Sequence, residues 1–461
     1  MFTRVSIKQV LIIGVLLVSA LMVMFPLSDH SLHFSYSAAV VLLTLALWST
    51  GALPPFLTGL IFFALAAVFQ LAEPSLLFSG FSSTAVWLII SGFVIGAAIS
   101  SSGLGDRVAA LIAPFLTLSY SRLIFGLVAT AMALGFVMPS SVGRAVVLVP
   151  IGMALAERVG FNKGSNGRIG IAVALAIACN MPSFAVLPSN IPNMILAGSS
   201  ETLFGLHFGY TEYLLLHFPI LGIVKSLLLV WLVLRLFPAV ITSPEVAEVA
   251  PTADDRKQQT KVIALLGATL FFWVTDSIHG VNPAWVGLAT AVILLMPKFG
   301  VVEPKAFNRS IDFATVIFVA AALGLGALVN VSGLGASMGQ LFSHLLPTSS
   351  DNDFLSFMAL SLISTLTGLV ATIPGVPTVL SPMAADFAQA SGFSLSAVLM
   401  TQVIGFSTVI FPYQVGPLIV AMQLSNESLA KLVKVTLPLA GITVVLLMPL
   451  DYLWWLLLGW I

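Results

Sequence analysis

Two stretches of this chain repeat each other and are then broken at matching places. Residues 84–105 read TAVWLIISGFVIGAAISSSGLG and residues 314–335 read ATVIFVAAALGLGALVNVSGLG. At a constant offset of 230 they share Val86 with Val316, Gly96 with Gly326, Ala97 with Ala327, and Ser102-Gly103-Leu104-Gly105 with Ser332-Gly333-Leu334-Gly335. Each copy is followed by a pair of apolar arms around a Pro/Gly/Ser tip, Met138-Pro139-Ser140-Ser141-Val142-Gly143 and Ile373-Pro374-Gly375-Val376-Pro377-Thr378. Each then meets a second break, Leu187-Pro188-Ser189-Asn190-Ile191-Pro192-Asn193 and Phe411-Pro412-Tyr413-Gln414-Val415-Gly416-Pro417. Repeated halves with helices interrupted at corresponding points are the mark of a secondary transporter. Irregular backbone at membrane depth survives only where it lines a protein cavity, so the breaks point to a binding site.

The setting for such breaks is a bilayer. The 461 residues are 59% hydrophobic and 8% charged. That excludes a soluble domain and implies an all-α polytopic membrane protein. The apolar runs are long and do not alternate, against a β-barrel. A net charge of zero gives no bulk attraction to nucleic acid. The single cysteine, Cys179, excludes an intrachain disulfide and a multi-cysteine metal site. The first apolar segment, near 9–26, lacks a small-residue cleavage site and reads as a retained span.

Windows of about 20 apolar residues predict eleven spans, near 9–26, 36–52, 54–72, 84–103, 168–199, 211–237, 260–276, 283–298, 313–332, 394–424 and 435–458. Two apolar pairs remain, 122–157 and 354–390. Their second arms, taken as 145–156 and 379–390, hold 12 residues each. At 1.5 Å per residue this is about 18 Å, short of a ~30 Å hydrocarbon core, so both pairs are expected to be re-entrant hairpins. With the N-terminus inside, inner loops hold 16 of the 18 Lys and Arg, and no outer loop holds one. This bias places the N-terminus in the cytoplasm of an inner-membrane protein and the C-terminus outside. The first hairpin then opens inward and the second outward, so the repeats are inverted. Residues 1–237 form the first half, 238–260 a cytoplasmic linker, and 261–461 the second half.

A broken helix exposes N–H groups at one end and C=O groups at the other. The former favour an anion and the latter a small cation. The hydroxyl and amide side chains at the tips and breaks are Ser140, Ser141, Ser189, Asn190, Asn193, Thr378 and Gln414. Arg144 lies one turn past the first tip. It pairs with an anionic substrate, or it caps carbonyls of the broken helix, or it stands in for a bound cation. Lys225, mid-way along 211–237, is read as snorkelling or pairing locally near a domain boundary. Asp386 is placed in solvent at the outer mouth of the second hairpin. Asp451 is placed at the outer interface with Tyr452, Trp454 and Trp455. The six histidines show no clustering with carboxylates at ligand spacing. No cofactor is expected, and the coupling ion is sodium or a proton. The GLG runs are expected to end helices, since no strand precedes them and no Lys-Ser/Thr follows.

At these residues the chain resembles the divalent anion:sodium symporter family, within the wider ion transporter superfamily that includes arsenite permeases. The similarity runs over nearly the whole chain. Members carry a Ser-Asn-Thr motif at each hairpin tip that binds sodium and contacts substrate carboxylates. Here the first falls on Ser140-Ser141-Val142, beside Gly143 and Arg144, and the second on Gly375-Val376-Pro377. The family's Gly-Thr-Pro-Pro-Asn-like break falls on Ser189 to Asn193, and its partner on Tyr413 to Pro417. The resemblance implies a homodimer, a scaffold of spans 1–4 and 7–9, and a moving domain of hairpins and broken helices. It implies elevator-type alternating access for a small divalent anion, a di- or tricarboxylate or sulfate, with sodium possible at Ser140, Ser141 and Asn190. Both tip asparagines are absent and Arg144 adds a positive charge beside the first tip, so Arg144 is expected to replace a cation in part, leaving an exchanger, a uniporter or a proton-coupled carrier. Three readings compete. An oxyanion or monovalent-anion permease stays open, and a cation/proton antiporter would need acidic residues at the midplane. An intramembrane enzyme would need a nucleophile with a base.

Overall fold

The computed structural model describes residues 7–25, 31–104, 118–138, 140–241, 253–343 and 352–461. The tip residue Pro139, the charges Arg4, Asp29, Arg107 and Asp351, His30 and His344, Gly105, and linker residues 242–252 lie outside this set. Every regular element among the described residues is helical. Eight helices are long and apolar enough to cross a membrane, and further apolar helices of 10–17 residues accompany them. All the expected spans have helical counterparts, the two broken ones as Asn166–Ala178 with Ile191–Phe204, and Leu395–Phe406 with Gly416–Ser425.

Local chemistry sets several boundaries. Ser83 caps Thr84–Ser101 by accepting from the Ala85 amide, and Ser165 and Ser394 do the same for the two broken helices. The GLG runs do end helices. Ser102 and Ser332 are C-caps of Thr84–Ser101 and Phe313–Val331. Gly103 and Gly333 follow at φ 64° and 80°, where a Cβ would be strained. Helix Ala253–Val274 takes in residues 253–260.

Packing sorts the helices into two main cores. One gathers both hairpins, Asn166–Ala178, the second broken helix and the spans Tyr210–Leu236 and Ala430–Leu458, while Ile191–Phe204 contributes to both cores. The other gathers Leu32–Thr50, Pro55–Val68, Thr84–Ser101 and Phe313–Val331. The halves also interlock. Helix Ile191–Phe204 of the first packs on the second hairpin, and helix Gly416–Ser425 of the second packs on the first hairpin.

Both hairpins differ from expectation in their second arms. The first turns between Tyr120–Val137 and Ser141–Arg158, the latter of 18 residues. Its first turn includes Val142, Gly143 and Arg144, because Ser140 accepts the Gly143 amide at 3.0 Å and starts the helix there. The second turns at Thr372, and its far arm runs through Leu380, a 3₁₀ turn and on to Ser391. Gly375-Val376-Pro377 is therefore inside the arm, not at the tip. An 18-residue arm spans about 27 Å, so arm length does not separate a hairpin from two crossings.

One close approach ties the second core together. A Cβ on Gly324 would overlap the Leu77 carbonyl oxygen, and one on Gly80 the Ala320 backbone. Gly96 has open space around its Cβ position. Gly324→Ala is expected to cost about 1–3 kcal/mol by forcing the backbones apart. Gly96→Ala should be neutral or stabilising by about 0.5–1 kcal/mol. Thermal unfolding of the two purified variants checks both.

Candidate functional site

The first break is fully enclosed. Residues 167–190 are all buried, although the backbone between Ala178 and Ile191 is not regular helix. Pro182, Pro188 and Pro192 each remove an N–H donor, so the chain there cannot close an α-helical ladder. Its carbonyls and amides must find other partners.

Arg144 supplies much of that partnership. It is 0% exposed. Nε donates to the Cys179 carbonyl at 3.0 Å. Nη1 donates to Ser189 Oγ at 3.2 Å and to the Met138 carbonyl. Nη2 donates to Ser141 Oγ at 3.0 Å and to the Ser189 carbonyl at 3.3 Å. A guanidinium has five N–H donors, and each has an acceptor here. Met138 ends the first arm of the hairpin and Cys179 ends helix Asn166–Ala178, so the charge sits on the negative ends of two helices. Of the alternatives for Arg144, the geometry is that of a cap on carbonyls of the broken helix. Among the described ion pairs it has none.

Sequence candidates thus fall into distinct groups. Ser140, Ser141, Arg144 and Ser189 meet at the first tip, where Ser189 Oγ also donates to the Gly135 carbonyl. Gly143 is held by Ser140 and Val142 faces outward. Asn190 and Asn193 fold back into their own break. Asn190 Nδ2 donates to Ser183 Oγ at 3.1 Å and Asn180 O at 3.3 Å. Asn193 Nδ2 donates to Val186 O at 2.9 Å and Ser183 O at 3.1 Å. In the second half, Gln414 Oε1 accepts the Ile410 and Phe411 amides at 2.9 and 2.8 Å, closing its own turn. Tyr413 donates to Leu369 O at 2.8 Å, tying the second break to the hairpin arm. Gly375, Val376, Pro377 and Thr378 are buried along the far arm.

One polar group missed in the sequence, Asn180, now stands out beside two that were named there. Asn180 is fully buried with neither end of its amide partnered, and Asn193 Oδ1 and Gln414 Nε2 are likewise unpartnered. A buried amide left unsatisfied costs about 1–3 kcal/mol, so such groups are the polar lining a bound anion or ion could use. Asn180 was detectable only as an amide directly before the Met181-Pro182 breaker. Among the described residues no cluster of three or more His, Cys, Asp or Glu could hold a metal.

One expectation changes: Asp451 is not at an aqueous interface but fully buried. Of the two readings of Lys225, pairing is the one seen: it is 2% exposed and donates to the Ser407 carbonyl. His217 is also buried, with Nε2 at 3.4 Å from Met400 Sδ.

The second tip is strained. Thr372 has φ 61° and ψ 167°, a region that only glycine enters freely, at a cost of about 1–3 kcal/mol. Thr372→Gly should raise the thermal unfolding midpoint. Arg144→Lys keeps the charge but cannot serve five acceptors, and Arg144→Ala leaves buried carbonyls unpaired at about 1–3 kcal/mol each. Unfolding midpoints should fall in the order wild type, Lys, Ala.

Comparison with known proteins agrees with this architecture. The solved structure of the YdaH transporter of Alcanivorax borkumensis superposes with a TM-score of 0.53 at 18% identity, covering 84% of this chain and 88% of that one. A membrane protein of Cupriavidus necator is 25% identical over 397 residues, 83% of this chain and 77% of that protein. An L-tartrate/succinate antiporter of Escherichia coli K12 is 23% identical over 372 residues, 76% of this chain and 75% of that protein. The family model for citrate transporters matches residues 43–405, and the chain belongs to that citrate transporter family.

Proposed function

We propose that this protein is a secondary transporter that exchanges small di- or tricarboxylates across the inner membrane, with Arg144 held in the place of a coupling cation. The observation that carries the reading is the occupation of all its donors by the carbonyls and hydroxyls of the first tip and break. A residue so engaged has no N–H left for a carboxylate. Its charge instead offsets the helix ends and sets a positive potential for an anion nearby. The helix N-termini at Ser140, Asn190 and Val415 then supply amides for the substrate. The unpartnered amides of Asn180 and Gln414 supply further donors.

Family membership supports a transporter and not an enzyme, and the antiporter relative supports exchange of dicarboxylates. The gathering of both hairpins into one core, with Leu32–Thr50, Pro55–Val68 and Thr84–Ser101 in another, supports an elevator-type displacement. The homodimer and the cytoplasmic N-terminus belong to the same reading, the latter on the Lys and Arg bias of the inner loops.

Uptake of labelled succinate, tartrate, citrate and sulfate into proteoliposomes tests it. Preloading with unlabelled carboxylate should accelerate uptake at least tenfold, and an inward sodium gradient without preloading should not. Uptake driven by sodium alone would sink the assignment of Arg144 as a cation substitute. Uptake of sulfate only would move the substrate class.

A further inference from the structure

The two halves end their broken helices alike. Helix Asn166–Ala178 stops at Cys179 and helix Leu395–Phe406 stops at Ser407, each capped at its start by a serine. The Cys179 carbonyl receives Arg144 Nε at 3.0 Å. The Ser407 carbonyl receives Lys225 Nζ at 2.7 Å, with Ser407 Oγ at 3.4 Å. Both cations are buried, at 0% and 2% exposure. The basic groups come from different elements, a hairpin arm and a long span, yet reach the same point of the repeat.

Lys225 is placed there by an irregularity. A π turn at Phe218–Val224 immediately precedes it and shifts the register of the helix that follows. The side chain also borders Met181 and Pro182, so it lies against the first break as well as the second. Asp451 lies on the last span, after a π turn of its own at Thr443–Leu447. Asp451 is fully buried, and neither of its oxygens has a hydrogen-bond partner. His217, also buried on the lysine's own span, faces Met400, Tyr213 and Trp455 instead. An ammonium buried this deeply is costly unless carbonyls and a carboxylate compensate it.

We infer that Lys225 is the built-in cation of the second half: its ammonium takes, at the C-terminal end of the second broken helix, the place Arg144 takes in the first. This deepens the exchange reading above and rests on it. Neither break then recruits a cation from solution. A lysine is also a compact point charge on a flexible stem, so removing it leaves a carbonyl-lined position that a small ion can enter.

The test is the thermal unfolding midpoint of purified full-length protein in sodium chloride against choline chloride at equal ionic strength. Wild type should give the same midpoint in both. Lys225→Ala should melt lower in choline and recover with sodium along a saturating curve, because an ion that binds only the folded state stabilises it. Lys225→Arg should stay insensitive to sodium. Lys225→Gln, carried in parallel, decides in the same way if the alanine variant does not yield folded protein. Folded Ala or Gln variants that ignore sodium would overturn this assignment and leave that of Arg144 standing. A wild type whose midpoint itself depends on sodium would overturn both.

Discussion

A guanidinium with no carboxylate partner, buried among carbonyl oxygens, organises the first half of this protein. Arg144 joins the end of one hairpin arm, the start of the other, and both sides of a broken helix. Remove it, and the broken helix becomes an enclosed loop with unpaired carbonyls, which a low-dielectric interior does not tolerate. The proline-rich break is therefore affordable only because a side chain elsewhere in sequence completes its hydrogen bonding.

The second half solves the same problem with other parts. Gln414 folds onto its own amides, Tyr413 reaches the hairpin arm, and Lys225 closes the end of the broken helix from the first half. The two tips also differ. The first starts its second arm with a serine cap, whereas the second turns through Thr372 in a conformation that favours glycine. Inverted repeats need to share only the positions of helix ends. The chemistry that satisfies those ends is free to diverge.

The positions of the spans were legible in the sequence because hydropathy over about 20 residues reflects the bilayer directly. The GLG helix ends were legible because a left-handed C-terminal residue selects glycine. The tips were less so. Pro374, Gly375 and Pro377 read as a turn, yet proline is equally at home in the first turn of a helix, and the backbone reverses earlier, at Thr372. Asp451 beside two tryptophans reads as an interfacial residue, but its burial depends on a span 226 positions earlier in the chain placing Lys225 nearby. Partners so far apart leave no trace in local spacing. For the same reason Arg144 was recognisable as exceptional, while its choice between a substrate and the protein's own carbonyls was not.

A cation that is part of the chain cannot be released. A carrier that borrows sodium sheds that charge before its empty binding site recrosses the membrane. Here the guanidinium would make the return journey with the protein, and an uncompensated charge moving through the membrane potential meets about 2.3 kcal/mol per 100 mV. Under the proposed exchange, the unloaded form would be trapped on whichever side it emptied until another anion neutralised it. Tight one-for-one turnover, without slippage of the vacant carrier, would follow from electrostatics alone and would need no separate gate.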